Sequence, residues 1–149
     1  RRQDRQIPGA RCLHEFANLY FDAHNPMLSK RREQNDSICV LRISPDVLDL
    51  PGVIVADRNA ASDWVKFSPV ADGLARIDHA RVYARYWTHR DEPYEEMRHK
   101  SEKCAEVLVP DQVAPGYIRG AYVANAAALA AFQALNAALP VTINHVMFF

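Results

Sequence analysis

The chain reads as a mixed α+β fold. Two observations lead there. Short apolar runs of strand composition, bounded by Gly, Pro, Asn and Asp, recur from one end of the chain to the other. Helical stretches interleave with them, but they are too short and irregular for a doubly wound parallel sheet. The length of 149 residues favours one domain, expected to span residues 1–149. A folded chain of this size hides roughly 68–70% of its unfolded surface, enough for a real core.

The elements follow in order. Residues 1–12, "RRQDRQIPGARC", are basic, broken by Pro8-Gly9 and without periodicity, so they read as a loop or helix end. "FANLYFDA" (16–23) has strand composition, and "HNPM" turns the chain. "KRREQND" (30–36) reads as a solvated loop and "SICVLRIS" (37–44) as a strand of mixed burial. Ser44 is placed to cap a short helix with Pro45 at its first position. Residues 51–63 read as strand, turn and helix: Val53 to Val55 make the strand, and Asp57 or Asn59 caps the helix. A helix is expected over 78–87, with Ile77, Val82, Tyr86 and Tyr83 inward, and a polar helical or irregular excursion over 95–103. "AEVLV" (105–109) is a strand, and "PGYIRGAYV" (115–123) a turn leading to another. Asn125 caps an Ala-rich helix to about Leu139, with Leu129, Phe132, Leu135 and Leu139 on one face. "VTINHVMFF" (141–149) is the final strand.

Composition excludes more than it assigns. Lys+Arg and Asp+Glu both number 18, so no global field steers the chain to nucleic acid or membrane. The three cysteines form no C-x-x-C pair, which argues against a disulfide framework or zinc knuckle and favours a reducing, cytoplasmic setting. No apolar run approaches the 18 or so residues of a membrane span, so no membrane partner is expected. The histidines are scattered without metal-ligand spacing, so no metal is expected. With five glycines there is no G-x-G-x-x-G or G-x-x-x-x-G-K cradle, and no G-x-S-x-G elbow. Cys104 reads as a small buried residue. Three basic clusters stand out: Arg1, Arg2, Arg5 and Arg11; Lys30, Arg31 and Arg32; and Arg98, Lys100 and Lys103. Each alone reads as solvated surface. Beside the aromatics Tyr20 and Phe21 they are of a kind to track a phosphate backbone.

Glu106 is the odd residue. It opens an apolar run, "AEVLVP", where a carboxylate needs a partner, a raised pKa or a chemical task. In an alternating strand it shares a face with Leu108. The bland alternative is an edge-strand glutamate pointing to water.

Several segments in one order resemble the DarT family, the toxin half of DarT–DarG toxin–antitoxin systems. They are "RRQDRQIPG", "LHEFANLYFDAHNPML", "ADRNAASDWVKF", "ARYW", "KCAEVLV" and the aromatic end "MFF". The family counterparts are a paired-arginine run before V-P, L-H-D-Y-V-P-F-Y-F-x-x-R-x-P-M-L, a D-R-x-x-A-like turn, Y-W, and A-E-(F/I/V)-L-V. The resemblance covers nearly the whole chain.

It implies an ADP-ribosyltransferase-like mixed split β-sheet with short flanking helices. The implied activity is transfer of ADP-ribose from NAD+, as co-substrate, to a base in single-stranded DNA, typically thymine, in the role of a toxin or phage-defence effector. The family's catalytic glutamate falls on Glu106 and its essential arginine on Arg2. Tyr20 and Met27 fall on site positions of the motif, with His24, Arg58 and Asn59 expected on the substrate and DNA side. Arg2 and Tyr20 are expected to serve NAD+ as well. A macrodomain antitoxin is the implied partner. Three departures accompany the match. The family's H-x-T-H-like strand belongs before residue 1, so an N-terminally truncated domain is expected, with weakened NAD+ binding. The family's arginine before P-M-L is replaced by His24-Asn25, and D-Y-V-P by Glu15-Phe16-Ala17-Asn18. A catalytically incomplete module binding nucleic acid or antitoxin, and an NAD glycohydrolase, are the alternative readings.

Overall fold

A computed structural model describes residues 5–149. Seven strands form: β1 (Phe16–Tyr20), β2 (Cys39–Ile43), β3 (Ile54–Ala56), β4 (Phe67–Pro69), β5 (Glu106–Pro110), β6 (Ile118–Val123) and β7 (Val141–Ile143). The α-helices are α1 (Pro26–Ser29), α2 (Val70–Arg76), α3 (His79–Val82), α4 (Pro93–Glu102) and α5 (Ala126–Gln133). The mixed α+β class is as expected, with two sheets and short helices.

The chain divides into two compact units. The first runs up to Asp22 and resumes over Val47–Val113. Its sheet has the order β1-β5-β3-β4 with every pair antiparallel. The run "EVLVP" therefore lies between two neighbours, and its first four residues are buried. That corrects the edge-strand expectation for Glu106. One core cluster joins Ile7, Leu13, Phe16, Ala56, Ala60 and Leu108; another joins Val55, Ile77, Val82 and Ala105. Helix α2 approaches β3 so closely that a Cβ on Gly73 would lie 2.4 Å from the Val55 Cβ, so only glycine fits there.

The second unit comprises Ala23–Asp46 and Ala114–Phe149. Its sheet has the order β2-β6-β7, the first pair antiparallel and the second parallel. Register slips between Arg42 and Ile43, and the bulge places Gly120 at φ +153, with the Pro140 carbonyl 2.8 Å from where its Cβ would stand. Asn25 caps α1, its side chain accepting from the Met27 and Leu28 N–H groups. Asn125 caps α5 as expected, accepting from Ala128 N–H.

Several expectations need correction. Residues 59–63 form turns, not a helix, and β4 and α2 arise where none was read. The helix expected over 78–87 shrinks to α3. Ile77 and Val82 are buried, but Tyr83 and Tyr86 are 54% and 71% exposed. The polar stretch is helical, as one of its two expected forms had it, in α4 from Pro93. Helix α5 ends at Gln133, and Asn136 takes the left-handed conformation (φ 52), so Leu135 points to solvent. The final strand stops at Ile143.

Candidate active site

Glu106 has no solvent exposure. It opens β5 opposite Tyr20 of β1 on one side and Ala56 of β3 on the other. Oε2 accepts from Asn18 Nδ2 at 2.8 Å, and Oε1 accepts from the Ala60 backbone N–H at 3.0 Å. Donors to a buried carboxylate are worth about 1.5–3 kcal/mol each, which offsets part of its desolvation.

The Ala60 donor is aimed by a turn, residues 57–66. Asp57 Oδ1 accepts from Lys66 N–H at 2.9 Å, while Asp57 N–H donates to the Lys66 carbonyl at 3.2 Å. Asn59 Oδ1 accepts from Ala61 N–H at 2.8 Å, an Asx turn. Asn59 N–H donates to the Ser101 carbonyl in α4 at 2.8 Å. Arg58 is clamped by Asp57 at 3.1 Å and lies 3.6 Å from Glu102. The turn is thus built by Asp57, Arg58 and Asn59 so that the next residue points its N–H at Glu106.

Helix α4 holds the other approach. Lys103, Cys104 and Ala105 link its last residue to Glu106 and are all buried, Cys104 as expected. Lys103 donates to Asp22, two residues beyond β1, and to the Val82 carbonyl at 2.7 Å. This corrects the reading of Lys103 as part of a solvated basic cluster: its ammonium is paired inside. Arg98 and Lys100 from that cluster are engaged too, with Glu102 at 3.0 Å and with Glu96. Glu102 is itself buried and also receives Arg81 at 2.8 Å.

These pairs move titrations. The Arg81 hydrogen bond to Glu95 holds that guanidinium above its usual value, with Glu102 adding to the effect against partial burial. The same bond holds Glu95 below the usual carboxylate range. Glu96 is also held low, by Lys100 first and by the His89 N–H second.

Of the residues singled out in the sequence, the first unit brings Glu106, Tyr20, Arg58 and Asn59 into this neighbourhood. His24 and Met27 belong to the second unit. There His24 Nδ1 lies 2.9 Å from the Met147 carbonyl and its ring stacks on Phe149 at 4.1 Å. Arg2 lies outside the described residues. Sequence reasoning missed Asn18 and the Ala60 N–H. The signal for Asn18 was its polarity in an aromatic strand, two residues before Tyr20 and hence on the same face.

A family model described as "DarT: ssDNA thymidine ADP-ribosyltransferase, DarT" matches residues 1–149. The chain belongs to the DarT family. A DNA ADP-ribosyl transferase–DNA ADP-ribosyl glycohydrolase fusion protein of Thermosipho africanus (strain H17ap60334) is 29% identical over 130 residues, 84% of this chain and 32% of the relative. Thermosipho africanus DarTG in complex with ADP-ribose superposes with a TM-score of 0.82 at 26% identity, over 99% of this chain and 39% of that one. Thermus sp. 2.9 DarT in complex with ADP-ribosylated ssDNA also reaches 0.82, at 19% identity, over 99% of this chain and 76% of that one. The same Thermus protein with NAD+ gives 0.77 at 20% identity, over 96% and 77%. The DarT chain described here therefore spans about a third of the curated relative it matches, and the Thermus structures establish the shared fold.

Proposed function

We propose that this DarT chain is an NAD-dependent transferase that attaches ADP-ribose to a base, thymine first, in single-stranded DNA. The observation that carries the reading is Glu106: a fully buried carboxylate at the start of a central strand, held at both oxygens by N–H donors. The Thermus relatives with NAD+ and with ADP-ribosylated ssDNA support the choice of substrates.

In this reading Glu106 stabilises the positive charge that builds on the ribose as the bond from C1′ to nicotinamide breaks, its electron pair leaving with nicotinamide. Glu106 then takes the proton from the thymine ring nitrogen as that nitrogen bonds to C1′. Tyr20, opposite Glu106, offers a ring against which an unstacked base packs. Arg2 supplies forked hydrogen bonds to the pyrophosphate or to the base. His24 and Met27 are assigned to the substrate side. Arg58 and Asn59 act by building the turn, since their side chains are engaged within it.

The chain acts as one transferase domain over 1–149, the range the family model covers. We assign it a toxin role opposed by a macrodomain antitoxin that removes the modification. The fused glycohydrolase of the Thermosipho relative supports that pairing. A cytoplasmic location suits a DNA substrate, and among the described residues no helix is long and apolar enough to cross a membrane.

The test is mass spectrometry of short single-stranded oligonucleotides, with and without thymine, incubated with protein and NAD+. The reading expects one ADP-ribose added to thymine-containing strands only. Release of free ADP-ribose with no oligonucleotide adduct would make the chain an NAD glycohydrolase instead.

A further inference from the structure

We infer that Asn18 is a positioning residue for Glu106. The inference rests on the reading of Glu106 as the catalytic carboxylate. Register sets Asn18 opposite Leu108 and Tyr20 opposite Glu106, so Asn18 and Glu106 are diagonal neighbours on one sheet face. The amide spans that diagonal and donates Nδ2–H to Oε2 at 2.8 Å. The Ala60 N–H holds Oε1 at 3.0 Å.

The two donors come from different elements, one from an edge strand and one from a turn. Together they fix the carboxylate plane. The terminal torsion of a glutamate is broad and roughly two-fold, so each donor held to one oxygen narrows it. The amide nitrogen of Asn18 can only donate, so it matches an ionised oxygen.

Asn18→Leu keeps a similar volume and removes the donor. We expect kcat for oligonucleotide modification to fall about tenfold or more, the worth of a hydrogen bond to a charged group. KM for NAD+ and for DNA should stay within about threefold, since the group acts through Glu106 and not on substrate. Asn18→Asp is the isosteric companion and places a second carboxylate beside Glu106. Two carboxylates at that separation share a proton, and the protonated oxygen then donates as the amide did. Its activity relative to the unmodified protein should therefore rise as the pH is lowered from about 8 towards about 5. Melting temperatures recorded alongside separate misfolding from catalysis. An Asn18→Leu kcat within twofold of the unmodified protein overturns the inference, and so does an Asn18→Asp deficit that is equal at every pH. Glu106→Gln in the same assay keeps the two readings apart. If it is active, the catalytic reading fails. If it is inactive while both Asn18 variants are fully active, only the positioning role fails.

Discussion

Glu106→Gln and Glu106→Ala have different consequences, and the contrast follows from the donors around the carboxylate. In the glutamine variant one oxygen becomes an NH2 group. The Ala60 N–H belongs to the backbone and cannot reverse, so the remaining oxygen must stay on that side. Asn18 can rotate its amide and present Oδ1 to the new NH2. Both hydrogen bonds survive in neutral form, and stability should change by less than about 1 kcal/mol. The charge is gone, however, so transfer should fall by about 100-fold or more. Alanine leaves the Ala60 N–H and the Asn18 amide without the carboxylate that accepts from them. An unsatisfied buried donor costs about 1–3 kcal/mol, and at about 2–4 °C per kcal/mol for a domain of this size the melting temperature should drop by roughly 2–12 °C for one such donor. A partly exposed carboxylate would have predicted no such loss; full burial does. The assay pairs thermal melting with quantified oligonucleotide modification. A glutamine variant that keeps activity within tenfold, or an alanine variant that melts with the unmodified protein, would refute the reasoning.

Three further outcomes follow from the same structure. Lys103→Met removes the partner of Asp22 and of the Val82 carbonyl; with Asp22 partly exposed, the cost should be about 2 kcal/mol, read as a melting temperature lower by about 4–8 °C. Gly73→Ala drives a methyl group into Val55, and the overpacking cost of about 1–3 kcal/mol should exceed the roughly 1 kcal/mol gained in helix propensity, so the variant should melt lower. Glu95 and Glu96 are held below the usual carboxylate range when folded, so their contribution is present above the unfolded value of about 4.3 and is lost as pH falls through their folded values. Melting temperature should therefore decline on acidification below that value, and less steeply in an Arg81→Gln, Lys100→Gln double variant; identical acid profiles would show that these pairs contribute nothing.

What the sequence disclosed and what it hid divide along sequence separation. The run "AEVLVP" and its misplaced carboxylate are visible in six consecutive residues. That the strand is central is not, because its neighbours β1 and β3 come from distant parts of the chain. The turn after β3 reads as a helix start because Asp57 and Asn59 are cap residues. Its real shape is set by bonds to Ser101 and Glu106, which lie more than 40 residues away. Lys103 looked like surface charge, since nothing local announces Asp22 as its partner. Tyr83 and Tyr86 fitted an inward helical stripe, but the stripe requires a helix that stops at Val82. Caps such as Asn125 were legible because their physics is confined to one turn. Of the site, Glu106 stood out by its own chemistry, whereas Asn18 became meaningful only with the register that sets it diagonally across from that carboxylate.

The central claim is that Glu106 drives transfer of ADP-ribose from NAD+ to a DNA base. It is tested most directly by counting both products at once, for the unmodified protein and for Glu106→Gln, on one thymine-containing single-stranded oligonucleotide. The account predicts that the unmodified protein releases nicotinamide and forms oligonucleotide adduct in equal amounts, and that Glu106→Gln forms neither at a comparable rate while melting at nearly the same temperature. Equal adduct from both proteins, or nicotinamide released without adduct, would contradict it.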